Sequence, residues 1–508
     1  MSDAPALSQI DTIVVLMLEN RSLDSLLGWL YADENPPAVY PLDSGASFNG
    51  AVGQSQTFNG APLSPPSNTQ QPGWFSTRVP AYDPNEDFAD MVAQMFCNGE
   101  GQWINADGQS INPIAPFSTV PSMQGYAFNY SASYVKEVSE VMGGFTAEEL
   151  PVLYGLASAF AVSDAWFASA PCQTNANRAF SICGTSLGCV NNDEFTTQFG
   201  TTPTLFNALA QTDRSFGIYW QNRYLGSGSG GLKTWPTCYT VDMFPQIYAV
   251  AGAPGSGKPG VIDTYANFLS AVESGEPIPA FCYIETFWGG GKGNEGGDDS
   301  GTAWTGVQGN DYHPCSDVGP AEAALNELYK RLRAHPQWDN MLIVITFDEA
   351  GGTWDHVPPP STVAPDSQLG EAARAFNFTF ESLGPRVPTL LISPYVSPGT
   401  VFRAESGALD HTSLIATILK WADVNPAEAN LGSRVAQAPT FEGVLSSTPV
   451  NTSSPTCFQV PDNYASNAKG LGALWIAGVY SGNISDDGAE AVFETVISHT
   501  GPLPGMFR

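Results

Sequence analysis

The stretch Met341–His356, MLIVITFDEAGGTWDH, constrains the fold of this chain more than any other. It begins with an unbroken apolar run, Met341–Ile345, turns acidic at Asp348 and Glu349, and breaks on Gly351 and Gly352. A short, β-branched apolar run predicts a strand buried on both faces, which is the pattern of a parallel sheet covered by helices. The glycine pair ends the strand and frees the backbone to turn. Two carboxylates therefore stand where a buried strand leaves its sheet. In open α/β sheets that is where ligands bind, and paired carboxylates there suit a hard divalent cation. An acidic turn capping a helix is the plainer alternative.

A second run of this kind, Ile10–Leu18, leads directly into Glu19-Asn20-Arg21-Ser22 and then into apolar residues at helical spacing over Leu23–Leu30. This is the strand-to-helix step of a layered α/β fold, and it sets Glu19 and Asn20 at the same kind of strand exit. The pattern recurs. Thr146–Phe160 is expected to be a helix opened by a Thr146/Glu149 capping box, followed by a strand at Ala161–Phe167. In the next loop, Pro171–Asn177, Thr174 lies at or just before a helix N-terminus, where free N–H groups favour an anion. Ser215–Trp220, Ile278–Phe287 and Val387–Ser393 predict further strands, and Gly319–Trp338 and Leu414–Val424 predict helices. The Gly-rich run 289–299 lacks the Lys-Ser/Thr that a phosphate-cradling loop requires.

The expected class is therefore α/β with a mostly parallel central sheet and long insertions. Residues 1–440 should form one domain carrying a loop-rich insertion at about 32–128, with 441–508 a small C-terminal segment packed on it. The chain has 508 residues, with 19 Lys and Arg against 50 Asp and Glu, a formal charge of −31. Such a surface disfavours nucleic acid and anionic membranes but leaves a small molecule or a zwitterionic phospholipid as substrate. The eight cysteines include no CxxC pair, which disfavours a thiolate metal site. No signal peptide and no transmembrane run is visible. Compartment and oligomeric state stay open.

Taken together, Glu19-Asn20-Arg21-Ser22, Thr174-x-x-Asn177-Arg178, Asn310-Asp311-Tyr312-His313-Pro314, Asp348-Glu349-x-Gly351-Gly352, Asp355-His356-Val357 and Asp410-His411-Thr412-Ser413 resemble the phosphoesterase family. That family holds non-specific phospholipases C of bacteria and plants and some bacterial acid phosphatases. The resemblance covers residues 10–425. It implies an alkaline-phosphatase-like, three-layer sandwich. It also implies a metal held by Glu19, Asn20, Asp348 and Glu349 together with Thr174, and Thr174 as the nucleophile. His313 and His411 would act near the phosphate, Asn177 and Arg178 would shape the phosphate loop, and His356 would contribute on the substrate side.

The chain departs from the family pattern at three histidines. ENRSFDH is ENRSLDS here, with Ser25; DPGH is Asp83-Pro84-Asn85-Glu86; DEHGG has Ala350. Glu86, in place of a histidine, is expected to face the cationic end of a headgroup. Of the five histidines, His335 and His499 are expected to be ordinary surface residues. A hydroxyl is a weak nucleophile at neutral pH unless a cation lowers its pKa. The oxygen-rich donor set favours Ca2+, Mg2+ or Mn2+, with zinc or iron possible. The expected activity is metal-dependent phosphoester hydrolysis, most directly by a phospholipase C working through a phospho-threonine. The alternatives are an acid phosphatase acting on soluble monoesters and a phosphate- or lipid-binding protein without activity.

Overall fold

Both apolar runs form strands, Thr12–Leu18 and Met341–Phe347, and every residue of each is buried. They lie side by side and parallel at the centre of a ten-stranded sheet, with Leu18 opposite Phe347. The computed structural model describes residues 6–464 except 43, 67–76, 134–137, 195–196, 222, 229–230, 236–237, 289–308 and 463. From one edge the strand order is Ala38–Tyr40, Thr400–Phe402, Ala161–Ser163, Thr389–Ile392, Met341–Phe347, Thr12–Leu18, Phe281–Glu285, Phe216–Trp220, Gly260–Thr264 and Ala251–Gly252. Within this sheet only Thr389–Ile392 runs antiparallel to its neighbours.

A strand buried on both faces needs cover on both sides. The helices Pro151–Ala159, Tyr265–Ser274 and Gly319–Ala334 pack together as one layer, and Thr174–Cys183, Leu205–Leu209, His411–Trp421 and Gly432–Gln437 as another. The result is the expected three-layer α/β architecture. Because Thr12–Leu18 and Met341–Phe347 end at matched heights, Glu19 and Asp348 emerge next to each other.

Several boundaries differ from the sequence expectation. The helix expected from Thr146 begins at Pro151, since proline is well suited to the first helical position. Glu149 still accepts from Thr146 N at 2.9 Å and from its hydroxyl at 2.8 Å, but in a turn before the helix. The strand expected over Ala161–Phe167 is regular only to Ser163; Trp166 and Phe167 make isolated bridges to Leu409 and Arg386. The Gly-rich run 289–299 lies outside the described residues.

The stretch 32–128 is loop-rich as expected. It also contributes the edge strand Ala38–Tyr40, a hairpin of Gln56–Phe58 with Ala61–Leu63, and the helix Phe88–Phe96. That helix builds a second apolar cluster with Phe180, Trp354 and Phe378, above the carboxyl ends of the central strands. Residues 451–464 run along the core domain. Asn451 Nδ2 donates to Ala159 O at 2.7 Å, Phe458 N to Asn326 Oδ1 at 2.9 Å and the Tyr464 hydroxyl to Glu149 O at 2.6 Å. No helix among the described residues is long and apolar enough to cross a membrane.

Candidate active site

The ends of the two central strands are fixed by their own backbones. Asn20 takes a left-handed conformation, φ 53°, so the chain turns sharply just past the strand. Its N–H donates to Asp348 Oδ1 at 3.0 Å, and Glu349 N donates to the same oxygen at 2.8 Å. Gly351 and Gly352 both have positive φ, 58° and 62°, and pass so close to their neighbours that a Cβ would lie 2.2 Å from Asn20 O and 2.4 Å from Asn85 O. Only glycine meets both demands. The glycine pair read from the sequence as a strand terminator is therefore also what lets three chain segments close on Glu19, Asn20 and Asp348.

Thr174 is the first residue of the helix Thr174–Cys183, which Gly184 ends in a left-handed cap. Its hydroxyl lies 3.1 Å from Glu19 Oε1 and 3.3 Å from Asn20 Oδ1. One turn on, Arg178 shares the Thr174 face, as residues four apart on a helix do. Its guanidinium bridges Glu19 Oε2 and Asp348 Oδ2, the latter at 3.2 Å from Nε, and also donates to Leu18 O at 3.2 Å. Arg178 thus sits among the carboxylates and not along the phosphate loop. The loop itself is held by Asn177, whose side chain accepts from Ala170 N at 3.2 Å and donates to Cys172 O at 2.6 Å. Above Arg178, the Trp288 ring lies 4.6 Å from the guanidinium carbon, with Tyr239 stacked edgewise on that ring.

Glu349 is buried, and while its Oε2 accepts from Gly351 N at 2.6 Å, its Oε1 has no hydrogen-bond partner. Burial and the neighbouring acids raise its pKa well above the usual carboxylate range. Asp348 is pushed up to about 7 by burial and Glu19, against the pull of Arg178. Such a surplus of buried acids is what a bound cation would offset.

Glu86 and His313 close one side. Glu86 Oε2 accepts from Asn20 Nδ2, so its carboxyl group is turned onto Asn20; burial, followed by Asp83, raises its pKa to about 8. The expectation that it stands free as an anion for a cationic headgroup is not what the geometry displays. His313 Nε2 lies 3.0 Å from Asn20 Nδ2, and its Nδ1 is 3.1 Å from Pro314 O and 3.8 Å from Asp83 Oδ1. Burial works against a charged ring, but Asp83, Glu86, Asp311 and Glu19 outweigh it and lift the pKa to about 9. Asp83, which the sequence offered only as part of a turn, is the residue that most favours that charge.

The other two histidines stand elsewhere. His411 is buried at the start of the helix His411–Trp421, which Asp410 caps, and its Nε2 donates to the Asp348 backbone carbonyl at 2.5 Å. Burial lowers its pKa, so it is a neutral brace on Asp348 and not an open proton donor. His356 faces away from the Glu19 cluster. Its Nδ1 lies 2.6 Å from Asp24 Oδ2 and its Nε2 3.0 Å from Asn49 Oδ1. The ligand atoms of Asp24, Asp355 and His356 lie within 4.8 Å of one another, close enough to hold a metal ion. Arg386 already pairs with both carboxylates, at 3.0 Å to Asp24 and 2.9 Å to Asp355. His335, expected at the surface, is buried, with Nε2 3.0 Å from Glu276 O; His499 lies outside the described residues.

The model of the phosphoesterase family matches residues 10–425. Non-specific phospholipase C3 of Arabidopsis thaliana is 32% identical over 468 residues, spanning 88% of this chain and 76% of its own length. Phospholipase C B of Mycobacterium tuberculosis is 26% identical over 457 residues, 81% of this chain and 73% of its own. Among solved structures, a protein in the alkaline phosphatase superfamily from Vibrio parahaemolyticus aligns over 80% of this chain and 99% of its own, at 13% identity and a TM-score of 0.32.

Proposed function

This chain belongs to the phosphoesterase family, and from that premise we propose that it is a metal-dependent phosphodiesterase of the phospholipase C type, acting through Thr174. The observation that carries the reading is the convergence of oxygens around the Thr174 hydroxyl. Glu19 Oε1 and Asn20 Oδ1 both lie within 3.3 Å of it, and the buried Glu349 Oε1 nearby has no donor of its own. Arg178 engages the opposite oxygens of Glu19 and Asp348 and leaves this set free. An all-oxygen, acid-rich set of this kind fits a hard divalent cation such as Ca2+, Mg2+ or Mn2+. Glu19, Asn20, Asp348, Glu349 and Thr174 would hold it. When bound, such an ion supplies the Lewis acidity that brings a hydroxyl toward its alkoxide at neutral pH.

The residues of the chain account for the rest. The Thr174 oxygen attacks phosphorus, a Thr174 O–P bond forms, and the bond from phosphorus to the glycerol oxygen breaks. The hydroxyl proton passes toward Glu19, its hydrogen-bond acceptor. His313, favoured in its charged form, supplies a proton to the leaving glycerol oxygen. Water, giving its proton to the now neutral His313, then attacks the phospho-threonine; the Thr174 O–P bond breaks, the Thr174 oxygen takes back the proton passed to Glu19, and a phosphomonoester leaves. The N-terminus of the Thr174–Cys183 helix turns its positive dipole end toward the phosphoryl oxygens. The acids at Asp83 and Asp311 disfavour a dianionic monoester more than a monoanionic diester, which is why the diester is preferred to the acid-phosphatase alternative.

The test is a pair of variants assayed on a soluble chromogenic phosphocholine diester and on the matching monoester. Thr174→Ala should lose several orders of magnitude in kcat while retaining most of the metal measured by elemental analysis. Thr174→Ser should keep activity. Substantial turnover by Thr174→Ala with metal bound would show that water attacks directly. A preference for the monoester would move the protein to the acid-phosphatase reading.

A further inference from the structure

We propose that the uncharged segment 108–123 of the loop 97–123 is a docking surface for a zwitterionic phospholipid bilayer, seating the catalytic end of the sheet on the membrane. The inference rests on the phospholipase reading of the site and adds to it the surface through which substrate is reached.

Three observations on this loop point the same way. It is tied to the active-site end of the molecule. Trp354, five residues beyond Glu349, donates from Nε1 to Met123 O at 3.3 Å, and Met123 N donates to Met95 O at 2.9 Å on the helix Phe88–Phe96, which begins two residues after Glu86. The loop is also built rather than loose. Ala106 N bonds Val120 O at 2.9 Å, Ala115 N bonds Asn112 O at 3.1 Å and Thr119 N bonds Pro116 O at 3.1 Å, while Ile104 bridges Ser110 and Asn105 bridges Pro121. Phe117 anchors it by packing on Phe378 with ring centroids 4.5 Å apart and on Phe96 at 5.1 Å. The same frame holds Ile114 and Val120 outward, 64% and 57% exposed.

The third observation concerns charge. Residues 108–123, GQSINPIAPFSTVPSM, carry no charged side chain, in a protein with a formal charge of −31. Single exposed apolar residues are ordinary on protein surfaces. Two of them on a hydrogen-bonded segment that itself carries no charge, with the loop's exposed acids Glu100 and Asp107 confined to the residues before it, are what an interface-seeking surface requires, because apolar side chains gain by entering the headgroup region. The acidity of the rest of the molecule repels anionic lipid, so the bilayer in question is one without net charge, such as phosphatidylcholine.

The experiment compares two substrates of one headgroup: phosphatidylcholine vesicles, and dibutyryl phosphatidylcholine dissolved as monomer. The double substitution Ile114→Asp with Val120→Asp should lower vesicle flotation and vesicle hydrolysis by about tenfold or more, since two buried apolar contacts are lost. Hydrolysis of the monomer should be unchanged, because neither side chain belongs to the catalytic machinery. Ile114→Trp should raise flotation, as tryptophan favours the interface. Val450→Asp is the control. Val450 is also exposed, but it bonds Pro394 just past the antiparallel strand Thr389–Ile392, at the opposite end of the sheet, and its replacement should change nothing. Unchanged vesicle binding in both loop variants overturns the proposal. So does an equal fall on both substrates, or a wild-type dimer that the double substitution disperses, which would make the patch a contact between copies. If the wild type hydrolyses neither substrate, the phospholipase reading fails, and flotation alone still decides whether the loop binds the bilayer.

Discussion

Replacing Arg178 with methionine isolates the electrostatics of the site. Methionine keeps most of the side-chain length and can still lie against Trp288, but it removes the guanidinium that bridges Glu19 and Asp348 and bonds Leu18 O. Removing one partner of a buried ion pair costs about 3–5 kcal/mol, because the remaining charge is left uncompensated. With an unfolding entropy of about 2.1 cal/mol/K per residue, 1 kcal/mol is worth roughly 1 °C in a chain this long, so Tm should fall by about 3–5 °C in EDTA at pH 8. The pH dependence follows from the sign of the shift. Without Arg178 the folded-state pKa of Asp348 rises further, and a carboxyl group whose pKa is raised on folding is less destabilising as it becomes protonated. The difference from wild type should therefore be largest above pH 7, near where Asp348 already titrates, and should narrow toward pH 5. Adding Mn2+ or Ca2+ should narrow it as well, since the ion supplies positive charge to the same carboxylates. Differential scanning fluorimetry across pH, with and without metal, reads all three effects. A loss of the same size at pH 5 and pH 8, indifferent to metal, would mean that Arg178 matters for packing and that its charge does not.

Asp83→Asn removes the acid that most favours the charged form of His313, whose pKa stands at about 9. If His313 protonates the leaving group, activity falls as pH rises through that value, so the substitution should move the alkaline limb of the rate–pH profile to lower pH. Glu322 accepts from Val152 N, Leu153 N and the Tyr312 hydroxyl, and burial raises its carboxyl pKa from 4.5 to about 7. The folded state then binds the proton more tightly than the unfolded chain, so this group's contribution to stability declines from about pH 4.5 to pH 7. At about 1.4 kcal/mol per pKa unit it amounts to roughly 3 kcal/mol. Glu322→Gln should remove that slope from a plot of unfolding free energy against pH, and a slope equal to wild type would contradict the assignment.

The parts of this site that could be read from sequence are those written into strand exits. Thr12–Leu18 and Met341–Phe347 are continuous apolar runs because both faces are covered, and the acids that follow them meet because the strands are parallel neighbours in register. Arg178 was legible in principle. It stands four residues after Thr174 in a helix, so it had to share the nucleophile's face, but its motif neighbour Asn177 pointed attention to the loop. The direction of Thr389–Ile392 was not legible, since an apolar run of that length looks the same for either orientation. The partners of His356 were not legible either: Asp24 and Asn49 reach it from more than 300 residues away, and nothing in Asp355-His356-Val357 names them.

Charge counting separates the two acidic groups that the fold gathers at this end of the sheet. Around Arg386, two carboxylates share one guanidinium, Asp24 Oδ2 is further bonded by the His356 amide at 2.8 Å, and of the four carboxylate oxygens only Asp355 Oδ2 is without a donor. The group is close to closed as it stands, and its proximity to metal-binding geometry follows from the crowding of an ion-pair network. Around Thr174 the balance is different. Glu19, Asp348 and Glu349 set three acids against a single guanidinium, a surplus that a divalent ion would offset. Of the oxygens that Arg178 does not reach, Glu19 Oε1 and Asn20 Oδ1 gather about the Thr174 hydroxyl, Asp348 Oδ1 is held by the Asn20 and Glu349 amides, and Glu349 Oε1 is unpartnered. Arg178 can therefore hold Glu19 and Asp348 in place while leaving Glu19 Oε1 open to an ion. On the proposed metal-dependent reading, the arginine is the permanent half of the site's positive charge and a divalent ion would be the exchangeable half.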